Sequence, residues 1–80
     1  MRFEVNTKTD CEDIMELAEQ FFGSDLGLKK TGSDSKTCLH FVGGGGYVNV
    51  TCCEEDNDTK TVELETREWD RKVKSFMKKI

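Results

Sequence analysis

The chain reads as an α+β protein, a two-layer sandwich. Two helices pack on one face of a five-stranded antiparallel sheet, in the order β-α-β-β-β-β-α. Three observations predict this. Short segments alternate apolar and polar residues with the period of a strand. Two other segments carry apolar residues at helical spacing. Cross-strand pairing brings the apolar members of neighbouring strands onto one face, and a one-residue slip would turn that face out.

The elements follow in order. Phe3 and Val5 alternate with Arg2, Glu4 and Asn6, giving a strand over about 2–7. Asp10 is a good N-cap for a helix over about 11–22, with Asp13 as a weaker capping-box partner. Ile14, Leu17, Ala18 and Phe21 form its apolar stripe, with Met15 and Phe22 beside them. Gly23 is placed to end it as the C′ residue. Four strands follow over about 26–31, 36–42, 47–54 and 60–66.

A symmetric loop at Gly43–Gly46 sets Val42 opposite Tyr47, Phe41 opposite Val48 and Leu39 opposite Val50. A turn at Ser33-Asp34 sets Leu28 opposite Leu39 and Leu26 opposite Phe41. In the last hairpin, an odd loop of three or five residues centred on Asn57 pairs Cys52 with Val62 and Val50 with Leu64. Asn57 or Asp58 is then the left-handed residue of that loop. Thr66 caps the last helix, whose stripe is Trp69, Val73, Phe76, Met77 and Ile80. Trp69 reads as a core anchor.

Eighty residues make one domain, 1–80. No apolar run reaches the length of a membrane span, and no secretion signal is visible, so a soluble cytoplasmic chain is expected. Net charge is −4, which disfavours a nucleic-acid partner. Residues 1–65 hold six Lys/Arg against fourteen Asp/Glu, net −8. Residues 66–80 hold six against two, net +4, which suits the end of a helix dipole.

The element order resembles one repeat of the TATA-binding-protein-like fold. It also resembles a cut-down helix-grip (Bet v 1-like, START-like) domain, above all where Thr61–Thr66 runs into Arg67-Glu68-Trp69 and a terminal helix. The resemblance is of topology over the whole chain and implies a fold only. A DNA-reading sheet wants Arg, Lys and apolar wedges on its open face, and this one carries Glu4, Glu63 and Glu65. A helix-grip cavity needs more strands than this chain supplies.

Gly43–Gly46 invites comparison with a phosphate loop. A strand pattern follows it rather than a helix start, and no Gly-Lys-Ser/Thr occurs, so it reads as a mobile hairpin tip. The open sheet face gathers His40, Val42, Tyr47 and Asn49 beside these glycines, and this is the expected binding surface. It implies a small non-enzymatic module that meets a protein partner or a second copy, with no cofactor.

The alternative is a metal or small-ligand site. Cys38, His40 and Cys53 share the open face but lack a fourth zinc ligand. The acidic stretch 54–58 offers oxygens for a weakly held cation but no EF-hand spacing. A Cys38–His40 nucleophile pair has no predicted cleft or orienting group. Four cysteines without a C-x-x-C or a signal segment are expected as reduced thiols, with Cys11 partly buried, Cys52 in the core and Cys53 outside.

Overall fold

The computed structural model describes residues 1–31, 38–55 and 58–80. Its strands are β1 (Arg2–Thr7), β2 (Lys29–Thr31), β3 (Cys38–Gly43), β4 (Gly46–Glu54) and β5 (Lys60–Arg67). Its helices are α1 (Cys11–Ala18), which continues as a π-helix over Glu19–Asp25, and α2 (Asp70–Met77). The sheet is antiparallel with spatial order β1-β5-β4-β3-β2. The element order and two-layer architecture are those the sequence predicts.

One face of the sheet is the core. Leu39, Phe41, Val48, Val50, Cys52, Val62 and Leu64 are buried there against Ile14, Ala18 and Phe22 from the first helix and Val73 and Phe76 from α2. Phe21, Phe22, Phe41 and Phe76 make a chain of ring contacts with centroids 5.1–5.8 Å apart, binding both helices to the sheet.

Two hairpin registers stand as read from the sequence. β3 and β4 pair Val42 with Tyr47, Phe41 with Val48 and Leu39 with Val50. β4 and β5 pair Cys52 with Val62 and Val50 with Leu64, and their last pair is Glu54 with Lys60. Asn57 lies outside the described residues. Among the described non-glycine residues, only Glu68 has a left-handed φ, at 77°.

Four local expectations are corrected. The first helix does not stop at Gly23: a π-helical stretch carries it to Asp25, and Gly27, with φ 73°, makes the reversal. The wider turn puts Phe22 at the centre of the buried stripe, below Cys11, Ile14, Met15 and Ala18, and leaves Leu17 and Phe21 on its flank. This extension consumes the residues expected to begin β2. The strand therefore starts at Lys29, pairing Lys29 with Val42, Lys30 with Phe41 and Thr31 with His40. The register slips by an even number of residues, so each side chain keeps its face, but Leu28 no longer faces Leu39. The proposed turn at Ser33-Asp34 lies outside the described residues.

Thr66 does not cap α2. It is fully buried in β5, and its hydroxyl donates to the Tyr47 carbonyl at 2.8 Å. The helix starts after Trp69. Finally, Cys11 and Cys52 are not thiols but a disulfide, with Cα atoms 5.7 Å apart. It ties the first turn of α1 to the central strand β4. Cys38 and Cys53 are free and exposed.

Asp10 sits at the N-cap with extended backbone, but its carboxylate makes no cap hydrogen bond. It accepts instead from Lys60 Nζ at 3.2 Å. Lys60 points to the core side of β5 with only 7% of its side chain exposed, while Asp10 is 75% exposed. The lysine stem lies on apolar surface and its ammonium reaches the rim. Lys60→Met keeps that packing and removes a partly desolvated charge. We expect it to change stability by no more than about 1 kcal/mol in chemical denaturation.

Candidate functional site

The pairings place the open-face side chains in rows across the sheet. Arg67, Tyr47, Val42 and Lys29 form one row, next to the glycine turn. Arg2, Glu65, Asn49, His40 and Thr31 form the next, and Glu4, Glu63, Thr51 and Cys38 the third. The first row is apolar at its centre and basic at its ends. The other two carry the acidic groups.

His40, Val42, Tyr47 and Asn49 are adjacent on the open face in the register the sequence predicts, and all four are half-buried. The His40 and Tyr47 rings stack, with centroids 6.1 Å apart and planes 23° from parallel. The His40 ring is oriented from its other side by Asn49 directly opposite: Nδ1 meets Asn49 Oδ1. Asn49 is thus a positioning residue for the ring.

Below them, Arg2, Cys38, His40, Asn49, Thr51, Glu63 and Glu65 line a shallow depression of about 320 Å³. Cys38 Sγ lies 3.6 Å from Thr51 Oγ1, and the Arg2 guanidinium lies 3.6 Å from Glu63. Cys53 stands on the next row, opposite Thr61. Among the described residues, no three His, Cys, Asp or Glu side chains converge as a metal site.

The four glycines have a local physical cause. Gly44 and Gly45 carry φ of 59° and 80°, the left-handed pair of a two-residue hairpin turn. A Cβ on Gly44 would lie 2.7 Å from Trp69 Cζ2, and one on Gly46 would lie 2.0 Å from the Arg67 carbonyl oxygen. Trp69 Nε1 donates to the Gly43 carbonyl at 2.9 Å. The indole therefore lies against the turn and holds it to the β5–α2 junction. The close approach that the glycines permit is to Trp69 and to β5. Sequence reasoning found Trp69 as a core anchor and missed this contact, because nothing in the local pattern links residues so far apart. Trp69→Phe keeps most of the packing and loses the N–H. We expect a loss of about 1–2 kcal/mol of stability, read from thermal unfolding.

Comparison with protein-family models, curated proteins and solved structures returns no match for this chain. Among the described residues, no helix is long and apolar enough to cross a membrane.

Proposed function

We propose that this protein is a small non-enzymatic interaction module that meets a protein partner, or a second copy, through the open face of its sheet. The observation that supports this is the His40–Tyr47 stack beside Val42, half-buried in the row next to the glycine turn. The opposite face is covered by both helices, so these residues have no packing duty in the core. An aromatic group with an apolar neighbour and a charged rim is the composition of an interaction centre. Val42→Glu and Tyr47→Glu then abolish partner capture or self-association through this face, at a cost in stability of about 1 kcal/mol, as expected for half-buried positions outside the core. Retained binding in both variants contradicts the reading.

The depression beneath favours a second reading, a small polar ligand or metal ion held by Cys38, His40 and their neighbours. Native mass spectrometry of freshly purified protein tests it: a bound ion or ligand lost on Cys38→Ser supports it, and a bare chain mass that added Zn²⁺ leaves unchanged counts against it. The compartment is open to the same kind of test. A cytoplasmic location would hold thiols reduced, whereas the Cys11–Cys52 bond favours an oxidising setting. Thiol trapping in intact cells reads out two blocked thiols for a cytoplasmic, fully reduced Cys11 and Cys52, and none at these positions for an oxidising one.

A further inference from the structure

Of the two edges of the sheet, only one is guarded. Among its described residues β2 carries Lys29 and Lys30, which discourage strand addition. β1 is six residues long and contains neither lysine nor proline. Its hydrogen-bond phase is fixed by Met1 and Thr66, which exchange both bonds: the Met1 amine donates to the Thr66 carbonyl at 2.8 Å, and the Thr66 N–H to the Met1 carbonyl at 2.9 Å. Bonded pairs alternate along an antiparallel ladder. Phe3 and Val5 therefore bond to β5, and Arg2, Glu4 and Asn6 direct N–H and C=O groups outward.

The side chains on this edge are also incomplete. Phe3 and Val5 lie on the core face yet stay half-buried, and Met1 is 68% exposed. On the open face Glu4 stands directly opposite Glu63, a like charge, while Arg2 gives its guanidinium to Glu63. Among the described residues, no cation pairs with Glu4.

We propose that β1 pairs with β1 of a second copy about a two-fold axis, joining two sheets into one of ten strands, with Phe3 opposite the partner's Phe3. In this register Arg2 faces the partner's Glu4 and exchanges both backbone bonds with it, and Met1 faces the partner's Val5. Phe3 meets its counterpart at a non-bonded position, where side chains come closest. Shifting the register one way sets Glu4 against the partner's Glu4. Shifting it the next sets Arg2 against the partner's Lys8. Of these three registers only the proposed one joins unlike charges, and it sets a cation beside Glu4. This surface is separate from the open face around Val42.

The test is analytical ultracentrifugation of the full chain with Arg2→Glu, Glu4→Arg and the double reversal. The wild type is expected to form a reversible dimer below about 1 mM. Each single reversal raises the dimer Kd about tenfold or more, and the double reversal restores it to within about threefold. Val42→Glu leaves this dimer intact, which separates the edge from the open face. Amide exchange of the wild type gives a readout without variants: Arg2 and Glu4 slow on dimerisation, and Asn6 does not. A monomer at all concentrations, single reversals without effect, a double reversal that restores nothing, or protection at Asn6 overturns the proposal.

Discussion

Removing the Cys11–Cys52 bond lowers the unfolding free energy by about 4 kcal/mol. The bond closes a loop with a sequence separation of 41 residues, and the chain-entropy relation for a loop of that length gives this figure. A domain of this size has only a few kcal/mol in hand, so most of its stability is at stake. The midpoint of thermal unfolding is expected to fall by about 20 °C or more. The measurement is guanidinium denaturation of wild type against Cys11→Ala/Cys52→Ala, which keeps both buried positions apolar. Cys38→Ser/Cys53→Ser is the control, because both thiols are exposed and free. Equal midpoints for wild type and the Cys11/Cys52 double variant contradict the account.

Gly46→Ala has the second large effect, about 3 kcal/mol or more. Its cause differs from that of a turn glycine. Gly46 needs no left-handed φ; it begins β4, and a methyl group there would meet the Arg67 carbonyl oxygen at 2.0 Å and Arg67 C at 2.9 Å. These are backbone atoms of the paired strand, so relief requires β4 and β5 to part where Tyr47 meets Arg67. Gly45→Ala is the informative comparison. Its Cβ would enter open space, and only the φ of 80° resists it, at a cost of about 1–2 kcal/mol. Gly43→Ala falls between, since its neighbour at 2.6 Å is the Cδ2 end of the Leu28 side chain, which can give way by rotation where a backbone atom cannot. Denaturation midpoints are expected in the order Gly45→Ala above Gly46→Ala. The reverse order would mean that strand proximity does not govern this glycine.

The parts of the fold legible in the sequence are those that period and parity decide. The pairing of Leu39 with Val50, and of Val50 with Leu64, follows from requiring apolar residues to meet. His40 opposite Asn49 follows from the same register, and so does the membership of the open face. What escaped depends on distances between elements. Cys11 and Cys52 both read as core-side residues, but the position of α1 over β4 decides whether they meet, and no local pattern encodes it. Thr66 has the side chain of a helix cap. Its parity with Val62 and Leu64 shows it to be the next buried residue of the strand, and that signal outweighs residue type.

The proposed interaction surface is tested most directly by site-specific photo-crosslinking in living cells. A photoreactive residue replaces Val42 or Tyr47 on the open face, and Lys72 on the exposed side of α2 serves as the comparison. A discrete adduct from positions 42 and 47, absent from position 72, is the predicted result, whether the captured species is another protein or a second copy. No adduct from either open-face position, or equal capture at all three, contradicts the central claim that this face is where the protein acts.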